Sequence, residues 1–167
     1  LMIKKINNKK IRVDEIFRLA PASKSRIGQT RLDKNERADP HINFFLEKLK
    51  KNISSDLISA YPEFGIIYKK LSKKLKIRSN NLVFTAGSDQ AIKNTFELFC
   101  EKNKKVITID PTFAMVDIYC KIFKTNQIKI GYDKNLKLRI NDIYNSIDKK
   151  TCLIIIANPN SPTGTLL

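Results

Sequence analysis

Tryptophan is absent from this chain of 167 residues, histidine occurs once, and there are only three cysteines and five glycines. A single histidine excludes any site built on a histidine pair. His41, beside Pro40 in a polar stretch, reads as a surface residue rather than a catalytic base. Cys100, Cys120 and Cys152 stand too far apart for a metal-ligand spacing, so no metal site is expected. Their apolar neighbours suit reduced, buried thiols of a cytoplasmic protein. The glycines form neither a Gly-x-Gly-x-x-Gly fingerprint nor a Walker loop, which excludes two common nucleotide cradles. No apolar run approaches the ~20 residues of a membrane helix, so no membrane partner is expected. The basic start, Leu1-Met2-Ile3-Lys4-Lys5-Ile6-Asn7, has no apolar stretch behind it, and a secretion signal is not expected either. Without one, Asn52-Ile53-Ser54 is a chance match to a glycosylation acceptor.

Acidic residues are also few, 16 against 32 lysines and arginines, for a net charge of +16. A surplus of that size can mark a nucleic-acid binder. Here the lysines are dispersed and flank apolar stripes. Lys69, Lys70, Lys73, Lys74 and Lys76 accompany Ile67, Leu71 and Leu75, while Lys48, Lys50 and Lys51 accompany Leu46 and Leu49, as on solvated helix faces. No zinc finger, RNP-like aromatic signature or helix-turn-helix pattern goes with them, so nucleic acid is not an expected partner. A hydrophobic share of 42% excludes a disordered chain, and the length suits one domain with a core.

Residues 1–32 show no long period, with a loop at Pro21-Ala22-Ser23-Lys24-Ser25. Apolar residues at Ile42, Phe45, Leu46, Leu49 and Ile53 recur at helical spacing. A loop punctuated by Pro62 and Gly65 leads to a second helix over 66–75. Thereafter short apolar runs at 82–85, 106–109, 128–132 and 152–157 alternate with helical stripes at 91–99, 115–122 and 140–147. This alternation predicts an α/β fold, a parallel sheet with flanking helices joined by right-handed crossovers. A sheet ending here leaves strand edges uncovered. The chain therefore reads as part of a larger domain, or as one that relies on partner surfaces, with residues 1–41 an N-terminal arm or part of a small domain and 42–167 an incomplete large domain.

Three segments at strand ends carry the polar chemistry. In Thr85-Ala86-Gly87-Ser88-Asp89, Gly87 permits a tight turn, and the free N–H groups of the following helix make a phosphate seat. An ordinary turn capped by Ser88 or Asp89 satisfies the same residues. In Asp110-Pro111-Thr112-Phe113, the ring of Phe113 is placed to stack on a flat ligand or to pack in the core with Met115 and Phe123. In Asn158-Pro159-Asn160-Ser161-Pro162-Thr163-Gly164, the prolines fix the backbone while Asn160 and Ser161 offer hydrogen bonds. Together the three suggest a phosphorylated aromatic cofactor.

Tyr61-Pro62-Glu63, Thr85 to Ile92, Asp110 to Met115 and Asn158 to Gly164 occur in an order and spacing that resembles the first part of the class I/II, fold type I pyridoxal-phosphate aminotransferases. The histidinol-phosphate aminotransferase group is most similar, and Leu32-Asp33-Lys34-Asn35-Glu36 resembles its Leu-x-x-Asn-Glu segment. The resemblance runs from about Leu32 to the end. It implies that Gly87, Ser88 and Asp89 hold the phosphate of pyridoxal 5'-phosphate and that Phe113 stacks on its ring. Ser161, with Asn160 beside it, would take the place of an asparagine on the phenolic oxygen. Tyr61 would reach the partner's cofactor phosphate in a homodimer.

The resemblance also implies that the Schiff-base lysine, the aspartate on the pyridinium nitrogen and the substrate-binding arginine follow the Asn158–Gly164 loop. No catalytic residue is therefore expected within the chain. Alone it should be inactive, while the whole protein would transfer an amino group between a small-molecule donor, such as histidinol phosphate, and a keto acceptor. A decarboxylase of the same fold and a basic nucleic-acid-binding module are the alternatives.

Overall fold

In a computed structural model, residues 5–6, 9–10, 28–31 and 42–167 are described. The Pro21–Ser25 loop, the Leu32–Glu36 segment and His41 lie outside them. Backbone contacts gather the chain into two compact units, residues 21–84, and residues 85–167 together with 1–20.

The unit 21–84 contains helices α1 (Ile42–Asn52), α2 (Ser55–Ser59) and α3 (Gly65–Leu75), then a 3-10 turn at Ser79–Asn81. The short α2 was not legible from apolar spacing. It depends on a cap: Ser54 Oγ accepts the N–H of Leu57 at 3.1 Å. The run 82–85, expected as a strand, begins extended at Leu82 but pairs with no strand among the described residues. Instead the N–H of Phe84 donates to Tyr68 Oη at 3.1 Å, and the two rings meet edge-on with centroids 4.6 Å apart. An extended run becomes a strand only when a neighbouring ladder takes its backbone groups. No described side chain of this unit is buried. Leu49, Ile58, Phe64 and Ile66 are each more than half exposed, so apolar stripes that suit a core are open here.

In the other unit, a short antiparallel ribbon pairs β1 (Lys5–Ile6) with β2 (Lys9–Lys10). The sheet that matters for function is built from β3 (Lys105–Asp110), β4 (Asn126–Gly131) and β5 (Thr151–Ile155), interleaved with α4 (Gly87–Phe99), α5 (Ala114–Ile122) and α6 (Ile140–Ser146). Its order is β4-β3-β5, and both pairings are parallel, with Ile107 opposite Ile128 on one side and Ile154 on the other. The central β3 is buried over 106–109, which is why it reads as a nearly unbroken apolar run. Val106 packs with Phe96 of α4 and with Tyr119 and Cys120 of α5 on one face. Ile107 packs with Ile130 and with Ile143 of α6 on the other. Alternation along one strand thus serves two helical layers.

All three cysteines are free thiols. Burial, then a hydrogen bond with Cys152, pushes the Cys100 thiol up to about 12, so it stays protonated and inert at neutral pH.

Above the Val106 face lies a polar network. Gln127 Nε2 donates to Thr108 Oγ1 at 3.0 Å and to Asp117 at 2.6 Å, while Lys129 Nζ reaches Asp117 at 2.6 Å and Asp110 at 3.3 Å. Burial pulls the Asp117 carboxyl upward, but hydrogen bonds from Lys129 and Gln127 and the charges of Lys129 and Lys121 outweigh it, leaving the group below its ordinary value. A depressed folded-state pKa contributes stability above the unfolded value, near pH ~4, and that contribution is lost as pH falls through the folded value. Asp117→Asn is therefore expected to flatten the acid-side loss of stability, read as denaturation midpoints across an acid pH series. A slope equal to wild type would contradict the network's role.

Candidate functional site

Because β3, β4 and β5 are parallel, the loops that follow them leave from one edge of the sheet. At the start of α4, Gly87 adopts φ +74, which a side chain would strain although open space surrounds its Cβ position. The first N–H groups of an α-helix have no acceptor within the helix. Here Gln90 Oε1 takes the N–H of Ala86, and the Thr85 carbonyl takes that of Gly87 at 2.8 Å. The N–H groups of Ser88 and Asp89 have no acceptor among the described residues, and both residues are exposed. They form a donor pair at the positive end of a 13-residue helix, suited to an anion. Tyr119 Oη donates to the Asp89 carbonyl at 3.2 Å and ties this turn to α5.

Phe113 immediately precedes α5, on the loop after β3, and is half-buried. Met115 and Phe123, the neighbours a core role would give it, pack against the Phe96 cluster, and Phe113 does not join them there. No ring among the described residues pairs with its own.

The loop after β5 is fastened at several points. Asn160 is only 3% exposed. Its Oδ1 accepts from Thr112 Oγ1, and its Nδ2 donates to the Pro111 carbonyl and to Thr163 Oγ1, all at 2.9 Å. Gly164, at φ +69, returns its N–H to the Asn160 carbonyl at 2.7 Å and closes the turn. Thr163 and Thr165 hydroxyls lie 2.8 Å apart, and Thr165 Oγ1 donates to Tyr132 Oη, beyond β4, at 3.1 Å. The Asp110–Pro111, Asn158–Pro159 and Ser161–Pro162 bonds are cis. Ser161, next to the buried Asn160, is exposed.

Phe113 and Ser161 thus sit on loops joined through Asn160, and the Gly87–Asp89 turn is joined to the helix that Phe113 begins. Tyr61 belongs to the unit 21–84, in the loop between α2 and α3, and is 97% exposed. Thr112, Tyr119 and Thr163, which fasten these loops, were not singled out from the sequence. Thr112 and Thr163 lie within the strand-end motifs and Tyr119 on the stripe 115–122, but nothing local distinguishes their hydroxyls from others. No cluster of three or more metal-ligating side chains exists among the described residues, and none of their helices is long and apolar enough to cross a membrane.

Helices on both faces of a parallel sheet, with polar loops after the strands, define an α/β fold of the class in which ligands characteristically bind along that rim. Residues 29–167 match the family Aminotransferase class I and II. The chain belongs to that family. It is 37% identical over 113 residues to the histidinol-phosphate aminotransferase of Pelagibacter ubique, covering 66% of this chain and 31% of the relative. To that of Methanococcus aeolicus it is 33% identical over 127 residues, covering 72% and 34%. The solved histidinol-phosphate aminotransferase of Clostridium acetobutylicum superposes with a TM-score of 0.58 at 25% identity, over 75% of this chain and 35% of that one. Cystalysin from Treponema denticola, a structure containing pyridoxal 5'-phosphate, shares the fold with a TM-score of 0.64 at 20% identity, over 78% and 35%. The chain spans about a third of the length of the curated relatives it matches.

Proposed function

We propose that this chain is the N-terminal, cofactor-holding portion of a pyridoxal-phosphate-dependent aminotransferase. The observation that carries the reading is the unpartnered N–H pair of Ser88 and Asp89, tied through Tyr119 to the helix that Phe113 begins. A phosphate fits the donor pair and the helix dipole. The half-buried ring of Phe113 suits stacking on a pyridine ring, and the exposed Ser161 hydroxyl suits its phenolic oxygen. When bound, the cofactor supplies an electron sink for amino-group transfer, while the protein orients it and tunes its charge.

On this reading residues 42–167 form part of the large domain and residues 1–41 an arm. The bonding lysine and the substrate-binding arginine come from sequence after the Asn158–Gly164 loop, so the chain alone is inactive. Substrates are a small-molecule amino donor and a keto acceptor. Histidinol phosphate is the leading donor, given the names of the relatives, which places the whole protein in cytoplasmic amino-acid biosynthesis. The protein forms a homodimer in which Tyr61 serves the partner's cofactor. Its exposed ring and the open apolar residues of the unit 21–84 support that role.

The test uses the protein extended through its downstream sequence. It should take up pyridoxal phosphate with a visible absorbance band that borohydride removes. A colourless extended protein would overturn the reading. In the same protein, Tyr61→Phe should speed cofactor loss during dialysis more than Lys73→Ala does. Equal rates would remove Tyr61 from the site.

A further inference from the structure

We infer that Asn160 is a positioning residue: it clasps the loop after β3 to the loop after β5, so that Phe113 and Ser161 are presented to a ligand as one preformed rim. The inference rests on the cofactor reading above for what the rim holds, but the clasp itself is a property of the chain. Asn160 is an amide side chain buried at a sheet edge where polar groups are normally wet, and it has no unpaired N–H. Both Nδ2 hydrogens are engaged, one by the carbonyl of Pro111 and one by Thr163 Oγ1, and Oδ1 receives the hydroxyl of Thr112. Its backbone is held as well, donating to the Thr165 carbonyl at 2.9 Å and accepting from Gly164. A primary amide has one acceptor oxygen and two N–H donors, and this pattern matches that set. Neither carboxylate nor alkyl group reproduces it: an aspartate would face the Pro111 carbonyl with a second acceptor, and an alanine would leave that carbonyl and the Thr112 hydroxyl without their partner.

The consequence follows from position in the chain. Asn160 is bonded to Ser161, and Thr112 to Phe113. Fixing Asn160 against Thr112 and Pro111 therefore fixes the two candidate ligand-contacting residues relative to each other. The hydroxyl sequence Thr163, Thr165 and Tyr132 extends the same fastening to the end of β4. A site held this way loses little freedom on binding, which is how preorganisation raises affinity without adding a contact.

Amide hydrogen exchange and ligand titration on this chain test the clasp together. The probe is pyridoxamine 5'-phosphate, which has the ring and phosphate but no aldehyde to label the many surface lysines. Asn160→Ala should speed exchange at the Gly164 amide at least tenfold. It should weaken pyridoxamine phosphate binding by a similar factor and leave inorganic phosphate binding within about twofold. Thr112→Val should move both quantities in the same direction, Thr112→Ser should restore them, and the double variant Asn160→Ala/Thr112→Val should be no worse than Asn160→Ala alone. A neutral Thr112→Val beside a damaging Asn160→Ala would make Asn160 a direct ligand and overturn the inference. So would unchanged exchange at Gly164 in both variants. If wild type ignores pyridoxamine phosphate, the cofactor reading fails, and the exchange results alone still decide whether Asn160 clasps the loops.

Discussion

Replacing Phe96 with alanine is expected to remove ~3–5 kcal/mol of folding stability, enough to unfold much of the population of a domain whose total is about 5–15 kcal/mol. Phe96 is fully buried on the inner side of α4. Its ring lies 5.6 Å from that of Phe123 in a stacked arrangement and 5.8 Å from that of Tyr119. It also packs with Val106 of the central strand and Cys120 of α5. Truncation opens a cavity where α4, α5 and the sheet meet. Tyr144→Ala is the control: its ring is 67% exposed, and the change should stay within about half a kcal/mol. Urea denaturation of both variants decides. Equal losses would mean that the core lies elsewhere.

Ser88→Pro should reduce affinity for pyridoxamine 5'-phosphate roughly ten- to hundredfold. Proline lacks the N–H that Ser88 supplies, and a hydrogen bond to a charged group is worth about 1.5–3 kcal/mol. The first turn of a helix tolerates proline, so the fold should persist. Two comparisons isolate the cause. Ser88→Ala keeps the N–H and should bind close to wild type. Pyridoxamine without its phosphate should bind the proline variant and wild type alike. If Ser88→Ala matches Ser88→Pro, the hydroxyl rather than the backbone is the contact. If pyridoxamine binding falls as well, the damage is not confined to the phosphate seat.

The central layers of the fold were readable because periodicity reports burial on one or two faces. The runs at 106–109 and 152–157 became β3 and β5 within two residues, and the stripes at 115–122 and 140–147 became α5 and α6. Residues 82–85 mark the limit of that signal. Their composition favours an extended backbone, yet a strand also requires a partner, and Phe84 finds Tyr68 instead. Helices α1 and α3 of the unit 21–84 were legible for the same reason, but their openness was not, because a stripe says which face is apolar and not what covers it. In the site, the residues near the strand ends were legible as types: a glycine for a positive φ, a helix start for an anion, a rigid loop between prolines. The fastening was not. Asn160 meets Thr112 across 48 residues, and Tyr119 meets Asp89 across 30, and no local pattern encodes such pairings. Burial of Asn160 is what separates its role from that of its exposed neighbour Ser161.

The most direct measurement is an amide chemical-shift titration of this chain with pyridoxamine 5'-phosphate. The account predicts that Ser88, Asp89, Phe113 and Ser161 shift together along one binding curve, while the lysine-rich face of α3 from Lys69 to Lys74 stays still. Shifts confined to that lysine face, or shifts at Ser88 and Ser161 that follow different curves, would contradict it.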